Sequence, residues 1–260
     1  MKTGFRIFLA VFIALGGSWC GFVLAPELQL GGAKQTTILN SSDVYPVGRT
    51  GEANRGLAVY RANGCAACHT EQVRQTGVTY DVALTGAGKN PVAVTNLISS
   101  LVLTNLSKEA ADAVTAKISA AGGKTEVRMM ATGPDIARGW GMRRSVAEDY
   151  LYDLPVQLGN LRAGPDLANI GARDPDANWQ LVHLYAPATE VKGSTMPPFK
   201  YLFKLRKIGD QPSPDALQFP KNFALPAGYE VVPTAEAKEL AAYLVSLRAT
   251  VPLYSAPISP

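Results

Sequence analysis

Five consecutive residues, Cys65-Ala66-Ala67-Cys68-His69, carry the clearest chemistry in the chain. Two thiols three residues apart, followed at once by an imidazole, make the C-x-x-C-H arrangement by which a c-type haem is attached. The thiols can form thioethers with the two vinyl groups on one porphyrin edge, and the histidine can take one axial site on the iron. Moving His69 by one residue would turn its imidazole away from the metal. Other uses of a cysteine pair fit less well. A redox pair needs no following histidine and expects a βαβ context. A zinc site needs four ligands, and beyond the motif the chain offers only Cys20, in an apolar run, and His183.

The other face of the iron has five candidate ligands: His183 and the methionines at 129, 130, 142 and 196. Met129 and Met130 fall in a strand-like stretch and Met142 follows a Gly-Trp-Gly run, positions that suit packing. Met196 lies in Gly193-Ser194-Thr195-Met196-Pro197-Pro198-Phe199. Its two prolines stiffen the loop and lack donors, so the thioether can be held toward a metal with little entropy left to lose. Met196 is therefore the expected sixth ligand, and His183 reads as a hydrogen-bonded residue on a helix over 178–185. Iron held by His69 and Met196 has no open site for peroxide or oxygen, and the soft sulfur favours the ferrous state.

These residues need elements to hold them. A helix is expected over 52–63, with Ala53, Gly56, Leu57 and Tyr60 on one stripe and Gly64 as its stop. A second runs from Thr234 to about Arg248, capped by Thr234, with Ala237, Leu240, Ala241, Leu244 and Leu247 on its apolar face. Residues 76–142 read as a small α+β unit. It comprises a strand over 79–84, a helix near 91–101, a helix over 108–121 capped by Ser107, and a strand over 125–130. The Pro-rich stretch 200–232 reads as a connection wrapped over the surface.

A chain of 260 residues with net charge +4 and 47% apolar residues suits a globular protein with one membrane segment. Aromatic residues do not interleave with basic clusters, so nucleic-acid binding has no support. The membrane segment is Ile7–Leu24, eighteen uncharged residues preceded by Lys2 and Arg6. Basic residues ahead of the run place the N-terminus in the cytoplasm and export the rest of the chain. Length and the Pro26 flank favour a retained anchor over a cleaved signal peptide, and Trp19 before Cys20 argues against a lipoprotein. The expected division is a cytoplasmic N-terminus (1–6), an anchor (7–30), a linker (31–50) and a main domain (51–260) with 77–142 inserted.

A helix before the haem motif and another closing the domain resemble class I cytochrome c, whose terminal helices cross beside the haem. That resemblance makes Gly56, Tyr60, Leu240 and Tyr243 the crossing contacts. It also assigns to Pro165, in Gly164-Pro165-Asp166-Leu167, the carbonyl that fixes the second nitrogen of His69, an outer contact that sets tautomer and orientation.

The series Ser145-Val146-Ala147-Glu148, Tyr152-Asp153, Pro155, Gly159, Gly164-Pro165-Asp166-Leu167-Ala168, Ile170-Gly171-Ala172-Arg173, Trp179, His183-Leu184, Pro187 and Met196-Pro197 goes further. It is similar to the mono-haem subunit, subunit II, of cbb3-type cytochrome c oxidases, as is His69-Thr70-Glu71-Gln72-Val73-Arg74. The resemblance implies a mostly α fold: a class I cytochrome c domain on one N-terminal transmembrane helix, with a small α+β insertion. It implies one covalent haem c, held by Cys65 and Cys68 with His69 and Met196 on the iron. It implies a single-pass protein of the bacterial inner membrane with its haem domain in the periplasm. Single electrons would come from a di-haem or soluble cytochrome c and pass to a haem–copper catalytic subunit, where oxygen is reduced. Arg74, Arg162, Arg173 and Trp179 stand as haem-carboxylate or docking residues under the same resemblance. Two rival functions are the cytochrome subunit of a nitric oxide reductase and a haem enzyme or sensor with a labile sixth ligand. The insertion faintly resembles the end of the C-terminal domain of the acidic ribosomal stalk protein, an analogy of fold alone.

Overall fold

The computed structural model describes residues 2–38, 44–88, 91, 96, 100–221 and 223–252. It falls into two units: Met1–Arg49 with Val146–Val156 and Val251–Pro260, and Thr50–Ser145 with Gln157–Thr250.

In the first unit, helix α1 (Lys2–Trp19) continues through a π turn (Cys20–Leu24) into α2 (Ala25–Leu30). The helix thus outruns the expected Ile7–Leu24 segment. Pro26 does not stop it because it sits in the first turn of α2, where its missing N–H matters least. Just ahead of it, Ala25 N–H bonds the Cys20 carbonyl five residues back, a wider turn that absorbs the change. Among the described residues this is the one helix long and apolar enough to cross a membrane, and it fits a single-pass anchor. The short strands β1 (Thr36–Thr37) and β2 (Val44–Tyr45) pair antiparallel. Below them, Arg49 pairs with Asp153 and Tyr45 Oη donates to Asp149 at 2.8 Å.

The second unit is organised by α3 (Gly51–Ala62) and α9 (Ala235–Ser246). Thr234 caps α9, its Oγ1 accepting from Ala237 N at 3.2 Å. Leu57 and Tyr60 of α3 are buried against Leu240, Tyr243 and Leu244 of α9, and the Tyr60 and Tyr243 rings lie 5.2 Å apart. Gly56 is what lets the two helices approach: a Cβ there would overlap the Glu239 carbonyl. Leucines buried this way contribute about 2 kcal/mol each, and Leu57, Leu240 and Leu244 belong to the core shared with the rest of the unit.

After the turn Cys65–Ala67 come β3 (Gly77–Gly86), β4 (Val102–Leu106), α4 (Lys108–Ala120), β5 (Lys124–Thr132) and the single turn α5 (Pro134–Ala137). These strands form one antiparallel sheet in the order β4-β3-β5, with Val82 opposite Val127. Helix α4 lies on it, burying Ala111 and Ile118, while Val82 is buried in the sheet. Strand β4 was not expected. The helix expected near 91–101 falls largely outside the described residues, and Leu101 is not helical.

Next come α6 (Ile170–Arg173), α7 (Ala177–Tyr185) and α8 (Pro187–Glu190). The stretch 200–232 differs from expectation. Rather than only wrapping the surface, it contributes β6 (Phe203–Lys207) and most of β7 (Tyr229–Pro233), paired antiparallel with Phe203 opposite Pro233. Phe203 and Val231 enter the core, while Lys204, Arg206 and Lys207 stay in water and mask the strand signal. Helical content is substantial, but seven strands in three sheets appear among the described residues.

Candidate cofactor site

Gly64 ends α3 with φ +67°, a left-handed step that turns the chain directly into the cysteine motif. The motif folds as one tight turn: Ala67 N donates to the Gly64 carbonyl at 2.9 Å, and His69 N to the Cys65 carbonyl at 3.0 Å. The turn places Cys65, Cys68 and His69 on the wall of a single cavity of about 680 Å³. That size is within the range of cofactor pockets, roughly 300–1,000 Å³.

His69 is oriented from the loop 162–167. Its Nδ1 lies 2.8 Å from the Pro165 carbonyl, and a carbonyl can only accept, so Nδ1 carries the proton and Nε2 keeps a lone pair. Burial pulls the imidazole below its ordinary pKa, outweighing the raising effect of that carbonyl, which favours the neutral, ligating form. Gly164 lies flat under the ring, and a Cβ on it would overlap the imidazole. Gly164 N donates to the Cys68 carbonyl at 2.9 Å and Leu167 N to the Thr70 carbonyl at 2.7 Å, so loop and motif are tied on both sides.

Under this loop lies a polar cluster that no local pattern announces. Asp166, fully buried, accepts from Thr70 Oγ1 at 2.5 Å, Gln72 N at 2.9 Å and Ala168 N at 2.9 Å. Arg162 donates to Thr70 Oγ1 at 2.8 Å, to the Gln72 carbonyl at 2.6 Å and to Asp135 at 2.9–3.0 Å, and reaches Asp166 at 3.3 Å. Its guanidinium also stands 5.2 Å from the centre of the Trp140 ring. Asp135 in turn accepts from Arg74 N at 2.8 Å. One arginine thus joins the chain after the motif, the Pro165 loop and the base of the insertion.

Another part of the cavity wall comes from α7 and the loop after α8. Met196 lies in this wall, as do Trp179 and His183. The loop is held by Ser194, whose Oγ accepts from Met196 N at 3.3 Å, and by Phe199 N, which donates to the Leu184 carbonyl at 2.8 Å. Cys65, Cys68, His69, Met196 and Pro165 all line this space. Met129, Met130 and Met142 are exposed at 49%, 36% and 48% and line no part of it. Arg173 is in the wall, whereas Arg162 is engaged in the cluster below and Arg74 contributes its backbone there.

The donor set fits a haem. Two thiols, an imidazole with a fixed tautomer and a thioether all line one largely apolar cavity. Among the described residues no group of three or more His, Cys, Asp or Glu could hold a bare metal ion instead.

Residues 135–243 match the family model of the cytochrome C oxidase, mono-heme subunit/FixO. The matched region contains Pro165, His183, Met196 and α9 as far as Tyr243, and begins at Asp135, the residue of the insertion base that Arg162 holds. The resemblance of the Ser145–Phe199 series to subunit II of cbb3-type oxidases therefore stands, and a mono-haem subunit implies one haem. No curated protein matches the chain.

Proposed function

We propose that this chain is the membrane-anchored c-type cytochrome subunit of a cbb3-type terminal oxidase, passing single electrons to the haem–copper catalytic subunit in aerobic respiration. The observation that supports the reading is the coincidence of the mono-haem subunit match with a cavity lined by Met196 and Pro165 together with Cys65, Cys68 and His69. Cys65 and Cys68 would hold the haem covalently, with His69 and Met196 on its iron; when bound, the haem supplies reversible one-electron chemistry.

The chain's own residues account for the rest. The Pro165 carbonyl and Gly164 hold the imidazole in one tautomer and one orientation, so little reorganises when charge arrives. Leu167, Ile170, Leu240 and Leu244 line the cavity and keep it apolar. With His69 and Met196 both holding it, the iron would have no place for oxygen, whose reduction belongs to the partner. Helix Lys2–Leu30 anchors the domain in the bacterial inner membrane, with residues 51–260 on the periplasmic side and 77–142 as an insertion. A di-haem subunit or a soluble cytochrome c supplies the electrons.

Purification of the full chain from detergent-solubilised membranes tests this. It should bring down a haem–copper catalytic subunit in a complex that consumes oxygen. Recovery of the chain alone, or of a complex that consumes nitric oxide instead, would contradict it.

A further inference from the structure

The chain contains two histidines, and both line the same cavity. His69 belongs to the motif. His183 comes from α7, in the wall that also holds Met196, and its neighbour Leu184 accepts the hydrogen bond from Phe199 that fixes the end of the Met196 loop. His183 does not behave as an ordinary buried histidine. Its Nδ1 is buried without any hydrogen-bond partner, although such a group normally finds one. What holds the ring is the face of Trp179, stacked at 5.0 Å and 4°. Burial, helped by the nearby His69, pushes its pKa down to about 4, so the imidazole is neutral; with Nδ1 closed off from the cavity, the lone pair that could reach a metal is that of Nε2.

Resting on the reading of His69 and Met196 as axial ligands, we infer that His183 is a reserve ligand that takes the sixth position when Met196 leaves. The exchange breaks an iron–sulfur bond and forms an iron–nitrogen bond. No electron moves and no proton is released, because the neutral ring keeps its proton on the other nitrogen. The consequence is protective: displacement of the Met196 loop lowers the potential but does not open the iron to small ligands.

The test uses the full chain purified with its haem, comparing wild type, Met196→Ala, and Met196→Ala with His183→Phe. Wild type should show the near-infrared sulfur-to-iron band. Met196→Ala should lose the band yet remain low-spin with a histidine–histidine electron paramagnetic resonance signature, and the double variant should become high-spin. Reduced Met196→Ala should bind carbon monoxide on the order of tenfold more weakly than the double variant, the ratio expected if His183 occupies the site about 90% of the time. A high-spin Met196→Ala that binds carbon monoxide as the double variant does would overturn the inference. So would a double variant that stays low-spin. A wild type lacking the band would remove Met196 itself as ligand, and the reserve role with it. Should Met196→Ala fail to retain haem, wild type and His183→Phe are compared in urea just sufficient to abolish the band. Low-spin iron in wild type alone supports the inference, and identical spectra overturn it.

Discussion

Asp166→Ala is expected to cost about 3 kcal/mol of folding stability, read as a loss in urea or thermal unfolding of the full chain. Removing one partner of a buried ion pair typically costs about 3–5 kcal/mol. Arg162 keeps its contacts to Asp135, which places the cost at the low end of that range. The loss is not only of charge. Thr70 Oγ1 loses its acceptor in a buried site, at a desolvation cost of about 1–3 kcal/mol, and the part-buried N–H groups of Gln72 and Ala168 lose theirs at a smaller one. Against a total stability of about 5–15 kcal/mol, such a change is large for one residue. Because Asp166 follows Pro165 directly, the variant should also loosen the carbonyl that holds His69. A loss under about 1 kcal/mol would mean that the cluster contributes only as a surface pair does.

Gly164→Ala is expected to destroy the axial geometry while leaving the fold standing. The added methyl would occupy the space of the His69 ring itself, touching Cε1, Nδ1 and Nε2. Gly164 has ordinary backbone angles, so the effect is steric rather than conformational. Either the ring tilts or the loop withdraws, and in both cases the bond from Nδ1 to the Pro165 carbonyl breaks. The haem protein should turn from low-spin to largely high-spin, with helical content retained because α3 and α9 meet elsewhere. Gly193→Ala is the control. That site is open but left-handed at φ +80°, so the substitution should cost about 1 kcal/mol of backbone strain and leave His69 ligation intact. Equal spectra for Gly164→Ala and wild type would show that the loop can yield without disturbing His69.

Much of the site could be read from the sequence because its signals are local. The spacing of Cys65, Cys68 and His69, the stiff prolines after Met196 and the stripes of α3 and α9 each lie within a few turns of chain. The structure brings the first four of these residues to one cavity. The Arg162 cluster was illegible because its members come from residues 70–74, 135–140 and 162–166, three segments with no shared period. Strands β6 and β7 were missed for a similar reason. They pair across a long connection, and the lysines and arginine of β6 hide its single buried residue, Phe203. The resemblance assigned the Pro165 carbonyl to His69, but no local pattern told that Gly164 itself would lie against the imidazole with no room for a Cβ. The uncharged run ends at Leu24, whereas Pro26 lies in the first turn of α2, where a proline is tolerated, and the helix runs on.

The proposed site holds one iron between the imidazole of His69 and the sulfur of Met196. Its most direct test is the near-infrared absorption of the purified, oxidised full chain, recorded beside that of Met196→Ala. A red protein carrying one covalent haem per chain is expected, with a weak sulfur-to-iron band in the wild type and none in the variant. A colourless protein, or one whose band survives the loss of Met196, would contradict it.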